Sequence, residues 1–177
     1  MPGDRYVTLP SYETTFGVTI NTAPEAIWPW LTQMGYRRGG LYSYDWLDRL
    51  FGYLDAPSAE RILPQWQQLA VGDEIPIGRA GGFPVKAIEP FRFLVLAGQA
   101  QGVEWSWELA LVPAGIGRTR LISRNRVRTP GDVRSRLTMH VIEPAAFVMT
   151  RKMLLGIKRR AEAMAHAEMA NAERRAA

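Results

Sequence analysis

Few residue types in this chain could carry out acid–base or covalent chemistry. The sequence has no cysteine and only two histidines, His140 and His166. Thiolate nucleophiles and thiolate metal ligands are therefore excluded. His140 would act as a general base if it projected into a pocket, but no inward-facing acid accompanies it, so capping or solvent exposure is favoured. His166 lies in an alanine-rich tail. Two distant histidines lack the spacing of a metal site, and we expect no metal and no cofactor.

A different kind of chemistry is indicated by polar residues on an otherwise apolar strand face. Residues 118–128 alternate, which places Ser123 and Asn125 on the same side as Leu121. Residues 103–111 alternate in the same way and place Trp105 and Trp107 on one side. Apolar walls with a few polar anchors are typical of ligand pockets. The alternative for Ser123 and Asn125 is that buried water or backbone groups satisfy them.

The other side of residues 118–128 carries a row of arginines that could track nucleic-acid phosphates. Glu104 and Glu108 would face these arginines from the neighbouring strand, so we predict a solvated, ion-paired surface and no nucleic-acid partner. Lys158, Arg159 and Arg160 would attract anionic lipid headgroups only modestly. Without a lipid anchor or an exposed apolar face, we expect no stable membrane association.

The overall composition is that of an ordinary globular domain. The chain has 177 residues, 47% of them hydrophobic, and a net charge of +5. We predict one domain over residues 1–165, followed by an alanine-rich tail or helix extension over 166–177. The N-terminal residues lack the apolar segment of a secretory signal, and no apolar run approaches a spanning helix. We therefore expect a cytoplasmic protein, and the oligomeric state stays open.

The first third of the chain predicts one strand and two short helices. After a loose lead-in over residues 1–12, a strand is expected over 14–20. Thr22 and Glu25 have capping-box spacing, which predicts a helix that Pro29 kinks and Gly35 ends. Ser43 is the expected N-cap of a second helix. Its predicted apolar stripe comprises Tyr44, Leu47, Leu50, Phe51 and Leu54.

The remainder predicts a sheet and a long helix. Period-two patterns indicate strands over residues 74–77, 83–89, 92–97, 103–112 and 118–128, with a short extended piece over 136–141. Period-3.6 spacing then predicts a helix over 142–164 with Pro144 in its first turn. The expected class is α+β: a curved antiparallel sheet wrapped around a long C-terminal helix, with two short helices after the first strand.

Several sequence blocks within about residues 14–160 carry a resemblance to known proteins. They are Ala-Pro-Glu-Ala-Ile-Trp-Pro-Trp-Leu at 23–31, Gln-Met-Gly at 33–35, residues 38–47, Arg-Ile-Leu-Pro-Gln-Trp at 61–66 and Trp-Ser-Trp at 105–107. These blocks resemble the helix-grip superfamily of START and birch-pollen-allergen proteins (SRPBCC), in particular its bacterial polyketide cyclase/dehydrase and lipid-transport-like branch. The resemblance implies a deep apolar cavity between the sheet and the last helix. It does not imply one reaction.

Other candidate ligand contacts come from the helices. Met149, Met153 and Gly156 share a face of the last helix, where they either line the cavity or form ordinary core with a close crossing at the glycine. Tyr44 and Trp46 either touch ligand at the cavity mouth or pack structurally. Asp45 is expected to favour the helix N-terminus and to pair with Arg49.

The main functional hypothesis is a carrier or sensor that holds a lipid, polyketide or aromatic compound between Trp105/Trp107 and Met149/Met153. The alternative is a polyketide cyclase or dehydratase that works by positioning a reactive chain in the same cavity, with Asn125, Tyr44 or His140 moving a proton. A third class is a protein-interaction module that uses the basic tail.

Overall fold

The protein is described by a computed structural model covering residues 1–79, 81–130 and 133–176, with side chains in the last range described from Pro144 onward. The helices are α1 (Pro24–Thr32), α2 (Asp45–Leu50) and α3 (Val133–Ala176). The strands are β1 (Tyr12–Ile20), β2 (Glu74–Gly78), β3 (Gly81–Glu89), β4 (Phe93–Ala100), β5 (Val103–Pro113) and β6 (Thr119–Arg128). The strands form one antiparallel sheet in the order β1-β6-β5-β4-β3-β2. This architecture confirms the predicted α+β helix-grip fold.

The sheet has an inner face that packs against α1 and α3, and its side chains fall into rows across the strands. Trp107 lies between Leu96 of β4 and Asn125 of β6, and Trp105 lies between Gly98 and Val127. The period-two pattern predicts the same assignment of side chains to the inner face, because neighbouring side chains of a strand point to opposite faces. The inner face thus carries all four polar and aromatic candidates of β5 and β6.

Helix α3 is longer than the sequence pattern indicates. Pro144 lies inside it rather than in its first turn, and residues 136–141 are helical rather than extended. An interior proline removes one backbone hydrogen bond, but the helix continues on both sides. Met153, Leu154, Ile157 and Ala161 are buried, and the helix packs on β1 and α1.

Both predicted helix caps are wrong. Ala23 precedes α1, and no side-chain hydrogen bond caps the helix. Thr22 is instead held by tertiary structure, since Thr119 Oγ1 donates a 2.8 Å hydrogen bond to its carbonyl oxygen. Tyr44 precedes α2, whereas the Ser43 hydroxyl donates to the Met149 carbonyl oxygen at 3.3 Å. Ser43 thus lies one residue before the N-cap position, and its hydroxyl donor is used in a tertiary contact with α3.

The outer face of the sheet is covered by the N-terminal segment, which the sequence pattern describes incorrectly as a loose lead-in. Residues Pro2–Tyr6 form a 3-10 helix that packs on β4 and β5. The Gly3 N–H donates a 2.8 Å hydrogen bond to Glu108 Oε2. Because of this cover, Glu108 and Ser106 are buried rather than solvated. Burial raises the pKa of the Glu108 carboxyl, and the Gly3 N–H opposes that shift.

Ion pairs hold this segment on the outer face. Asp4 lies 2.8 Å from Arg124 and 2.9 Å from Arg126, two arginines that are largely buried. Burial raises the pKa of Asp4, but hydrogen bonds from the chain's amino group, Arg126 and Arg124 outweigh it and hold the pKa well below its usual range. The predicted pairing of Glu104 is confirmed, with 3.7 Å to Arg128. The central part of the arginine row is therefore a covered interface rather than a solvated surface.

Candidate ligand-binding site

Three aromatic rings lie side by side on the inner face of the sheet. The Trp105 and Trp107 rings are stacked with centroids 5.9 Å apart, and Phe83 of β3 meets Trp105 edge-on at 4.0 Å. Gly98, opposite Trp105, leaves room for Phe83, because a Cβ there would lie 3.0 Å from that ring. Trp107 is buried in the core, whereas Trp105 and Phe83 are half-buried. The aromatic row therefore becomes more accessible from Trp107 towards Phe83.

The two polar residues of β6 hold the tryptophans in place. Trp107 Nε1 donates to Ser123 Oγ at 2.9 Å, and Trp105 Nε1 donates to Asn125 Oδ1 at 3.1 Å. These bonds engage both indole donors, which buried indoles generally require. Ser123 and Asn125 thus have indole partners, rather than the buried water or backbone groups of the alternative interpretation.

One hydrogen-bond donor of Asn125 has no acceptor among the described residues. An indole N–H can only donate, so the atom of Asn125 that faces Trp105 is the oxygen. The Asn125 Nδ2 amino group then points elsewhere, and no described group of the protein accepts a hydrogen bond from it. Asn125 is half-buried beside the half-buried Trp105. The inner face therefore presents an aromatic wall with an adjacent hydrogen-bond donor.

The predicted methionines on α3 differ in burial. Met153 belongs to the same buried core cluster as Trp107. Met149 is half-buried, and its carbonyl accepts the Ser43 hydrogen bond. Two residues before Met149, Phe147 packs edge-on against Phe16 of β1 with ring centroids 5.4 Å apart. Phe147 of α3 therefore contacts β1 of the sheet while it remains 47% exposed.

Tyr44 and Trp46 do not join the aromatic row. Lys152 of α3 lies over the Tyr44 ring at 5.3 Å. Trp46 is 67% exposed on α2, and so are Leu50 (72%) and Phe51 (55%) of the predicted apolar stripe. That stripe is wrong for these two residues, because a six-residue helix packs only part of its surface. The sequence pattern therefore also missed an exposed apolar patch.

The α2 patch borders a surface groove of about 940 Å³. Its apolar lining includes Leu50, Phe51, Tyr53, Ile77 and Phe83, and its cations are Arg49, Arg79 and Lys86. Phe83 therefore belongs to both the groove and the aromatic row. The sequence offered only a weak signal for this groove, since its lining comes from α2 and from three strand segments that are distant in the chain.

Beside α2, residues 38–60 form a buried polar network that the sequence does not predict. Asp45 accepts hydrogen bonds from the Ser58 hydroxyl at 2.7 Å and the Ser58 N–H at 3.0 Å. The predicted pair of Asp45 with Arg49 does not occur among the ion pairs of the described residues. Arg160 of α3 donates to the Ala59 carbonyl at 2.8 Å. This network fixes the loop between α2 and β2 against α3.

Asp48 of α2 has a fully buried carboxyl, and neither of its oxygens has a hydrogen-bond partner among the residues that the structure describes. Burial, with a smaller repulsion from Asp45, raises the pKa of Asp48 to about 6. Asp48 is not among the lining residues of the groove beside α2. The burial of its carboxyl without a partner is a cost to stability.

Two further sequence expectations concern titratable and metal-binding groups. His140 lies outside the residues whose side chains the structure describes. Among described residues, no cluster of three or more His, Asp or Glu could hold a metal ion. Likewise, none of the helices within the described ranges is long and apolar enough to cross a bilayer.

Comparisons with known proteins support the fold. No protein-family model and no curated protein matches this chain. Solved structures with the same fold include the ZhuI aromatase/cyclase from Streptomyces sp. R1128 (TM-score 0.52, 14% identity, 85% of this chain and 93% of that one). They also include protein NE0264 from Nitrosomonas europaea (TM-score 0.53, 13% identity, 86% and 95%). The di-domain ARO/CYC protein BexL from the BE-7585A biosynthetic pathway matches at TM-score 0.50 and 12% identity over 86% of this chain, which spans 47% of BexL.

Proposed function

We propose that this protein binds a hydrophobic small molecule, such as a lipid, a polyketide or an aromatic compound, between the inner face of the sheet and α3. The observation that carries the proposal is the half-buried pair of Trp105 and Asn125. An apolar ligand would lie against the exposed side of the indole, and an oxygen of the ligand would accept a hydrogen bond from Asn125 Nδ2. Met149 and Phe147 of α3 would form the opposite wall.

Replacing the aromatic wall tests this proposal. We expect Trp105→Ala to weaken binding of the uncharged fluorophore N-phenyl-1-naphthylamine about tenfold, because it removes most of one apolar wall. Fluorescence titration measures the dissociation constant, and thermal unfolding checks the fold. Trp66→Ala is the matched control, because Trp66 lies outside the aromatic row. The Arg38 guanidinium carbon lies over the Trp66 ring, 4.3 Å from its centroid. Equal affinities of the wild type and Trp105→Ala would contradict the proposal.

The retained ligand can also be identified directly. Mass spectrometry of an organic extract of the freshly purified protein would show whether a compound copurifies. A single abundant lipid or polyketide would support a carrier. An empty protein would favour a transient substrate and hence the second candidate function.

That second candidate is a cyclase that condenses a linear poly-β-ketone. In such a reaction a methylene carbon bonds to a ketone carbon, and the ketone oxygen leaves as water with both hydrogens of the methylene. The Asn125 Nδ2 group, which has no acceptor among the described residues, favours it, because a donor aimed at the ketone oxygen would stabilise the developing charge. Two proteins of the same fold, ZhuI and BexL, carry aromatase/cyclase names.

Asn125→Asp separates the two functions, since aspartate keeps an oxygen that accepts from Trp105 Nε1 and its carboxylate has no donor. For a cyclase, we expect the wild type to convert a poly-β-ketone thioester into a product lighter by one water, and Asn125→Asp to lose most of this activity. Binding of N-phenyl-1-naphthylamine should persist in the variant. Liquid chromatography with mass spectrometry detects the product, and conversion at the same rate in both proteins would refute a catalytic role for Asn125.

A further inference from the structure

The charged side chains that line the surface groove beside α2 are all cations. They are Arg49, Arg79 and Lys86, and no carboxylate lines the groove. Arg79 is partly neutralised, because Asp55 lies 3.3 Å away. Arg49 and Lys86 form no ion pair within the described ranges of the chain. The groove therefore keeps two uncompensated positive charges.

The remaining lining of the groove is apolar and aromatic. Phe51, Tyr53, Ile77 and Phe83 contribute to it, and Phe51 and Leu50 are more than half exposed. Exposed apolar side chains grouped in one concave surface are unusual unless they contact something. Cations beside such a surface match a molecule with an anionic group next to an apolar part.

Phe83 connects this groove to the inner face of the sheet. Its ring is a wall of the groove and also lies 4.0 Å from Trp105 between ring centroids. A ligand held against Trp105 would therefore reach the groove by extending along the Phe83 ring. The end of the ligand that lies in the groove would meet Arg49 and Lys86.

We propose that the ligand is an amphipathic anion: its apolar part lies along Trp105 and Phe83, and its anionic head binds in the groove at Arg49 and Lys86. This inference rests on the proposed function and adds the chemical class of the ligand. The anion is a carboxylate or a similar monoanion on an unbranched or aromatic apolar body. Charge-assisted hydrogen bonds from guanidinium and ammonium groups provide the selectivity.

Isothermal titration calorimetry with decanoate and 1-decanol tests the inference, because the two ligands share the chain and differ in the charge of the head. At pH 8 and low salt we expect decanoate to bind about tenfold more tightly than decanol. Arg49→Gln/Lys86→Gln should abolish most of this preference while leaving decanol affinity unchanged. Added salt should reduce the preference in the wild type.

Arg61→Gln/Arg118→Gln is the matched control, since it removes the same charge from two exposed arginines that line other cavities. It should keep the preference for decanoate. The inference is overturned if the wild type binds both ligands equally, if it binds neither, or if the preference survives Arg49→Gln/Lys86→Gln. Decanoate binding that depends on Arg49 and Lys86 but not on Trp105 would support the groove and refute the inner-face site.

Discussion

Replacing Gly156 with alanine should destabilise the protein by about 3 kcal/mol or prevent it from folding. Alanine is favoured over glycine in helices by about 1 kcal/mol, so helix propensity alone predicts the opposite sign. The structure overrides that preference, because a Cβ on Gly156 would lie 2.2 Å from the Tyr42 carbonyl oxygen and 3.1 Å from the Tyr42 Cβ. Both contacts involve Tyr42, a buried residue whose backbone cannot move without disturbing the packing around it.

Tyr42 has little freedom to accommodate the added methyl group. It is buried with φ +58°, a backbone conformation that few non-glycine residues adopt, and its ring packs edge-on against Trp30 with centroids 6.0 Å apart. Burial raises the pKa of its hydroxyl above the usual range, so the ring stays neutral. Any shift of α3 away from this loop would also separate Arg160 from the Ala59 carbonyl.

Chemical denaturation of Gly156→Ala measures the change, with Leu155→Ala as the control at the neighbouring, partly exposed helix position. We expect a much larger loss of unfolding free energy for Gly156→Ala than for Leu155→Ala. A stability equal to or above that of the wild type would show that α3 does not cross the Tyr42 loop as closely as the structure places it.

The second large effect should come from Asp48→Asn, which we expect to stabilise the protein at neutral and alkaline pH. The pKa of Asp48 rises from 3.8 to about 6 on folding, because burial disfavours the charged carboxylate. Ionisation therefore costs up to about 3 kcal/mol of folding free energy once the pH lies well above 6. Asparagine has nearly the same shape and no charge, so it avoids this cost.

The sign of the pH dependence follows from the two pKa values. Above pH 6 the carboxyl is ionised in both states, and the full penalty is present. As the pH falls through 6, the folded state takes up a proton before the unfolded state does, so the penalty disappears towards pH 4. We therefore expect the stability difference between Asp48→Asn and wild type to be largest near pH 8 and to vanish near pH 4.

Urea unfolding at a series of pH values measures this difference. Glu168→Gln is the control, because Glu168 is exposed on α3 and forms no ion pair within the described part of the chain. It should leave the pH profile unchanged. A constant offset between wild type and Asp48→Asn at every pH would exclude titration of a buried carboxyl as the cause.

Much of the candidate site follows from local sequence patterns. Alternation in β5 and β6 is sufficient to place Trp105, Trp107, Ser123 and Asn125 on one face, because a strand points alternate side chains to alternate sides. It could not reveal that each indole donates to a β6 side chain. These bonds run diagonally between strands, from Trp107 to Ser123 and from Trp105 to Asn125, so they depend on the register.

Local rules failed where tertiary contacts position the chain. Ser43 and Thr22 both have the sequence context of helix caps, yet Tyr44 and Ala23 occupy the cap positions. The Ser43 hydroxyl donates to the Met149 carbonyl, and the Thr22 carbonyl accepts from Thr119 Oγ1. Asp45 likewise binds Ser58 rather than the predicted Arg49. Capping and i,i+4 pairing contribute about 1 kcal/mol or less, so one well-placed tertiary hydrogen bond is enough to displace either.

The sequence by itself determined the α+β class, the meander of strands, the presence of a long terminal helix and the composition of the sheet's inner face. Each of these depends on residue periodicity, which is a property of neighbours in the chain. Tertiary structure alone decided that Gly3 covers Glu108, that Gly156 contacts Tyr42, and that cations and aromatic rings share one groove. Those contacts join residues far apart in sequence, and only the packing of the complete fold sets the distances between them.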